Sequence, residues 1–255
     1  MAELNSLWID LHSGSNDLFM NEHHRPYNEF HKLYFPDEQA PQMIMPIDDK
    51  WKTEVMKKLQ PSLRSAGGHN GIYLHLLASE TSSRSPVLVA DCELHNTALQ
   101  KAVTSQPTAG ITQHALIWRR KVPIDSLDAK TLAYLVYSKL ISPFSNVICL
   151  FADDLGGTEA VTEMLASWVI SLSNRSPDLP ASTLPRVLIL KLCEHSSFDE
   201  ERATVHFMKG LARVAKLRDG GLGQKLSGRL TEARLIALLK QHFGGLRIIA
   251  LPKPS

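Results

Sequence analysis

The sequence predicts an α/β fold: a mainly parallel sheet flanked by helices on both faces, with an antiparallel strand at one edge. Three observations carry this. Apolar runs rich in strand formers recur at residues 87–91 (VLVAD), 146–152 (NVICLFA), 186–192 (RVLILKL) and 246–251 (LRIIAL). Segments with helical spacing of apolar residues lie between the later runs, and such alternation implies parallel strands joined by helical crossovers. Residues 71–77 (GIYLHLL) are separated from Pro86 only by a short polar stretch. That link is too short for a crossover, so 71–77 and 87–91 pair antiparallel.

Taken in order, residues 1–70 are the least regular. LWIDL at 7–11 reads as a short strand, and HSGSN at 12–16 as a turn. Residues 21–42 are rich in His, Pro and Asn and show no sustained period, which reads as a long loop or a partly disordered segment. Residues 48–63 read as a helix capped by Asp49, with Trp51, Val55, Met56 and Leu59 on its apolar side. This irregular segment is set apart from an α/β domain over residues 71–255.

In that domain, residues 96–103 read as a short helix and 112–118 as a strand. Residues 127–141 form a helix capped by Asp125 or Ser126 and stopped by Pro143. The run at 146–152 is apolar throughout, as in a strand buried on both faces. It leads through Asp153-Asp154-Leu155-Gly156-Gly157 into a helix over 158–171. Beyond the third strand, Ser197 and Glu200 have capping-box spacing for a helix to about Leu217. Asp219-Gly220-Gly221-Leu222-Gly223 then breaks the chain, and a last helix spans 231–243.

Composition excludes several classes. The chain has 255 residues, 44% of them hydrophobic, enough to bury one large core or two small ones. Its 28 basic and 26 acidic residues leave no basic excess of the kind a nucleic-acid binder displays. Three cysteines do not make a disulfide framework and suit a reducing compartment. No apolar run approaches the ~18–20 residues of a membrane span. The N-terminal stretch MAELNSLWIDLHSGSND lacks a basic region followed by an apolar one. These readings point to a cytoplasmic chain without a membrane span or nucleic acid, whose partner is another protein.

Two carboxylates stand at strand ends, where ligands bind in open α/β sheets. Asp91 closes the 87–91 strand, the place of a carboxylate that holds Mg²⁺ in phosphate-binding folds. The alternative is an aspartate that caps a turn. Asp153 follows the 146–152 strand and would either join a Mg²⁺-nucleotide site or cap the helix after it. A phosphate loop, G-x-x-x-x-G-K-[ST], should accompany them, because its backbone N–H groups cradle phosphates and its lysine reaches the β- and γ-phosphates. No such motif is present. Asp219-Gly220-Gly221 has the look of the Asp-Gly-Gly of patatin-type lipases, but the G-x-S-x-G nucleophile motif is missing. Pairs such as Cys92/His95 and Cys193/His195 fall short of the four ligands of structural zinc. The neighbours His23 and His24, with His31, read as exposed polar residues.

Residues 70–95 (NGIYLHLLASETSSRSPVLVADCELH), with PFSNVICLFADDLGG downstream, resemble the P-loop, GTPase-like N-terminal domain of large fungal patatin-like phospholipase proteins. The resemblance covers residues 71–192. It implies a P-loop-NTPase-like, three-layer fold in which Asp91 is the metal-associated aspartate of D-x-x-G. Leu94 stands where that glycine belongs, and a leucine there weakens γ-phosphate sensing. The resemblance therefore implies a degenerate nucleotide-binding domain acting as a non-catalytic interaction or regulatory module, or as a remnant of a larger protein. The alternatives are a Mg²⁺-dependent GTP hydrolase using Asp91 and Asp153, and a patatin-like lipid-ester hydrolase fragment.

Overall fold

The computed structural model describes residues 6–13, 18–35, 37–47, 50–59, 61, 71–77, 81–94, 100–101, 109–116, 129–172, 179–193, 198–221 and 232–253. The chain forms two compact units, residues 1–137 and 138–255. Both mix strands and helices, so the α/β class holds. The parallel order lies mainly in the second unit, and antiparallel pairing in the first reaches much further than one edge strand.

In the first unit, strands β1 (Leu7–Ser13), β2 (Leu18–His23), β3 (Gln42–Ile47), β4 (Gly71–Leu76), β5 (Val87–Cys92), β6 (Gln100–Lys101) and β7 (Ile111–Ala115) share one sheet. Their order is β3-β5-β4-β1-β2-β7, with β6 beside β1. β4 pairs antiparallel with β5, Tyr73 opposite Asp91, as the short connection requires. β3 pairs parallel with β5. Of the loop expected over 21–42, the described residues 24, 33–35 and 37–41 are irregular, but the other described residues are the end of β2, a 3-10 helix over Arg25–Lys32 and the start of β3. Its polar residues hid a period because β2 carries Asn21, Glu22 and His23 on a half-buried strand near the edge of the sheet. The helix expected over 96–103 is, in its described part, the short strand β6, parallel to β1.

β5 is covered on both faces. Leu88 packs with Leu33, Leu74 and Leu76, with Phe30 of the 3-10 helix against this cluster. On the other face Val89 packs against Met56 of helix α1 (Lys50–Leu59). Alternation places Asp91, two residues past Val89, on the α1 face of the strand. Gly71 opens β4 where backbones approach closely: a Cβ there would lie 2.5 Å from Leu7 Cδ1 and 3.2 Å from the Ile9 carbonyl oxygen. Helix α2 (Ala129–Val136) ends the unit and continues into a π-helical turn over Tyr137–Ile141.

In the second unit, β8 (Val147–Phe151), β9 (Arg186–Cys193) and β10 (Gly245–Pro252) pair in parallel. Helices α3 (Thr158–Leu172), α4 (Glu200–Gly221) and α5 (Glu232–His242) supply the rest. Val161, Leu165, Trp168 and Val169 of α3 are buried, as are Ile148, Leu150, Val187 and Ile189 of the strands. α4 also protects the outer edge of β10. Thr204 Oγ1 accepts the Ile248 N–H at 3.0 Å and Glu200 Oε1 accepts the Ala250 N–H at 3.0 Å. These are the groups an edge strand leaves unpaired. The N-cap of α4 is Asp199, whose Oδ1 accepts the Arg202 N–H at 2.9 Å, so the Ser197/Glu200 expectation is replaced. α4 also runs on through Asp219-Gly220-Gly221, which is its last turn and no chain break.

Candidate functional site

The chemistry of the first unit gathers where β5 ends against the first turn of α1. Lys52 has a fully buried side chain. Its Nζ lies 2.5 Å from Asp91 Oδ1 and 3.1 Å from Glu93 Oε1, and it reaches the Cys92 carbonyl at 3.5 Å. Asp91 and Glu93 are themselves buried, at 6% and 1% exposure. Two carboxylates thus share one ammonium out of water. Strand alternation puts Asp91 and Glu93 on the same side, and helical spacing puts Lys52 one turn before Met56, which packs on Val89. Burial by itself would lower the Lys52 pKa. The adjacent Asp91 and Glu93 charges outweigh it and hold the ammonium above the ordinary lysine range. Burial pushes the Cys92 thiol well above its usual value, which makes it an inert core residue.

This geometry supplies what sequence reading missed. β3 leads into α1, and β5 lies parallel to β3 with Asp91 near its end. β3, α1 and β5 together set Lys52 against Asp91. Residues 46–53 read Pro-Ile-Asp-Asp-Lys-Trp-Lys-Thr. At phosphate-loop spacing, Lys52-Thr53 occupy the Lys-[Ser/Thr] positions, while Pro46 and Trp51 occupy those of the two glycines. Pro46 supplies no backbone N–H donor, and Trp51, half-buried with Lys50 Nζ 5.1 Å from its ring centre, carries a side chain where the motif has glycine. The signal available in the sequence was the Lys-Thr pair two residues after the Asp48-Asp49 pair, about forty residues ahead of Asp91.

Leu94 is fully buried, and its N–H donates to Tyr137 Oη at 2.7 Å. The amide that a D-x-x-G glycine would turn toward a γ-phosphate is engaged inside the protein. With Lys52 neutralised and the Leu94 amide occupied, these residues do not fit a Mg²⁺-nucleotide as arranged. Among the described residues no group of three or more His, Cys, Asp or Glu is arranged to hold a metal ion.

Asp153 belongs to the second unit. It is exposed, and its Oδ2 accepts the Leu192 N–H at 2.7 Å, which ties the end of β9 to the β8–α3 turn. Helix α3 begins only at Thr158, so Asp153 serves a strand end and does not cap that helix. Gly156 and Gly157 hold φ of 95° and 97° in the turn, a conformation that favours glycine.

His23, expected to be exposed, is part-buried. Asp10 takes His12 Nε2 on Oδ1 at 2.8 Å and His23 Nε2 on Oδ2 at 3.0 Å. His24 is exposed and bonds Thr112 at 2.8 Å, and His31 is exposed as expected. His95, Ser197, His195 and residues 14–17 lie outside the described residues, as does the side chain of Asp219. The described cysteines are all free thiols.

No family model matches the sequence, and no curated protein matches it. Among solved structures, the mammalian SRP receptor is similar with a TM-score of 0.41 and 11% identity, over 84% of this chain and 91% of that one. The siderophore hydrolase EstB from Aspergillus nidulans is similar with a TM-score of 0.30 and 10% identity, over 98% and 89%. Neither score is high enough to bear on function. No described helix is long and apolar enough to cross a membrane.

Proposed function

We propose that this chain is a degenerate P-loop-type nucleotide-binding domain that works as a non-catalytic interaction or regulatory module. The observation that carries the reading is the buried Lys52–Asp91–Glu93 cluster. In a working phosphate site the lysine reaches the β- and γ-phosphates and the strand-end aspartate serves Mg²⁺. Here the same two residue types, at the same places in strand and helix, neutralise each other inside the fold. The site's charges have become a structural cross-link between α1 and β5. The tie to the large fungal patatin-like proteins belongs to this proposal as the origin of the domain, and it rests on the pattern at 71–192.

Hydrolysis would require Asp91 to leave Lys52 and Leu94 to leave Tyr137, and both contacts are buried. Titration calorimetry of the chain with GTP and ATP in the presence of Mg²⁺ tests the reading. The expected result is no saturable heat and no phosphate release. Micromolar binding, together with turnover that Asp91→Ala abolishes, would establish the Mg²⁺-dependent hydrolase instead.

A further inference from the structure

The loop after the 3-10 helix displays two adjacent aromatic side chains to solvent. Tyr34 is 68% exposed and Phe35 60%. The loop is nevertheless clamped. The Phe35 N–H donates to Gln39 Oε1 at 3.1 Å, and the N–H groups of Glu38 and Gln39 both donate to the Phe35 carbonyl at 3.0 Å. Gln39 is buried, and its Nε2 donates to the carbonyls of Thr81 at 2.9 Å and Ser83 at 2.5 Å. The Ala40 N–H adds a bond to the Arg84 carbonyl at 2.9 Å. Rigid aromatic anchors lose little freedom when they are covered, which is what makes them effective in interfaces. Two exposed carboxylates, Asp37 and Glu38, flank the pair.

The second unit carries a surface of opposite character. The start of α4 and the residues before it border a depression of about 460 Å³. Its apolar lining is Phe198, Ala203 and Val205, the last 51% exposed. Its basic lining is Arg202, His206 and Lys209, all exposed. Asp199 also lies there, with its carboxylate engaged on the Arg202 N–H as the helix cap.

We propose that the aromatic loop of one copy docks into the α4 depression of a second copy, Tyr34 and Phe35 covering Phe198 and Val205 while Asp37 and Glu38 meet Arg202 and Lys209. Charge and apolarity both match, and the two surfaces differ, so the contact is heterologous. Two aromatic anchors bury about 150–250 Å² each. That is far below the roughly 1,600 Å² of a standard interface, so the association is weak. Its charges sit at the rim, so salt weakens it.

Sedimentation analysis of the full chain from roughly 10 µM to 500 µM, a span of about 2 kcal/mol in binding free energy, tests this. Concentration-dependent self-association is expected. Phe35→Ser or Lys209→Glu each weakens it about tenfold, and Asp37→Lys placed with Lys209→Glu restores it. All these side chains are exposed, and circular dichroism checks that each variant keeps its fold. A chain that stays monomeric throughout, or association untouched by both single variants, overturns the proposal. So does binding of the monomeric wild type, but not of Phe35→Ser, to anionic phospholipid vesicles, which would assign the loop to a membrane surface. None of these readouts involves nucleotide, so they stand or fall apart from the calorimetric test.

Discussion

Replacing Lys52 with Met removes the ammonium that lies against both Asp91 and Glu93, and leaves a hydrophobe of similar length in its place. Breaking a buried pair from one side costs about 3–5 kcal/mol, because a charge remains without a partner. Here both carboxylates that lose the ammonium are under 10% exposed, so a cost within that range is expected. Against the ~5–15 kcal/mol of a typical domain, this is a loss visible as a large drop in the urea midpoint followed by tryptophan fluorescence. The variant carries its own control in pH. Buried carboxylates without a cation have raised pKa values and gain stability by taking up protons. Each unit of pH decrease then returns up to about 1.4 kcal/mol per proton bound on folding. Lys52→Met should therefore be closest to the parent near pH 5 and furthest from it near pH 8. Adding Asp91→Asn and Glu93→Gln should recover most of the loss at neutral pH, since an uncharged cluster has no ion left to desolvate. A Lys52→Met chain within about 1 kcal/mol of the parent at pH 7, with no pH dependence of the difference, would refute the buried cluster and the functional reading built on it.

Two further outcomes follow from the same structure. Tyr137→Phe deletes the acceptor of the buried Leu94 N–H and should cost about 1–3 kcal/mol in the urea midpoint; a neutral result would mean that this amide has another partner. The Asp10 bridge predicts a window in pH. Burial works against the Asp10 charge, but hydrogen bonds and charge from His12 and His23 prevail and hold its pKa below the ordinary 3.8. The Asp10 hydrogen bond raises His12 above its ordinary 6.5 in spite of burial. The Asp10 contribution is present above 3.8 and lost as pH falls through the lowered folded value. The His12 contribution is complete below 6.5 and lost as pH rises through the raised folded value. The stability difference between the parent and Asp10→Asn should thus peak between those limits, and a flat difference from pH 4 to 8 would exclude the bridge.

Strands that alternate with helices were legible because burial on both faces leaves long apolar runs. β5, β8, β9 and β10 all stand close to where their sequences place them. β2 and β3 were not legible. β2 carries half-buried polar side chains near a sheet edge, and β3 contains Pro46, which demotes a run of strand formers. β6 is two residues long and is built by tertiary pairing with β1, against the local helical spacing around it.

The site failed to show for a different reason. Asp91 was readable as a strand-end carboxylate, but its meaning depends on Lys52, and lysine on a helix reads as the solvent side. Only the pairing of β3 with β5 brings α1 over Asp91, and that pairing is invisible until β3 is known to exist. A phosphate loop keeps its lysine outward because backbone N–H groups hold an anion there to receive it. On the proposed reading, Pro46 and Trp51 lack the glycine backbone of such an anion site, and Asp91 and Glu93 hold the ammonium in the core. On that reading, the inward turn of Lys52 goes with the absence of the glycines. Placing glycine at positions 46 and 51 alone should leave nucleotide affinity absent, because two buried carboxylates would still hold the lysine. Adding Glu93→Gln should be the first change to loosen it, and nucleotide binding by the double glycine variant alone would show that the lysine was never committed inward.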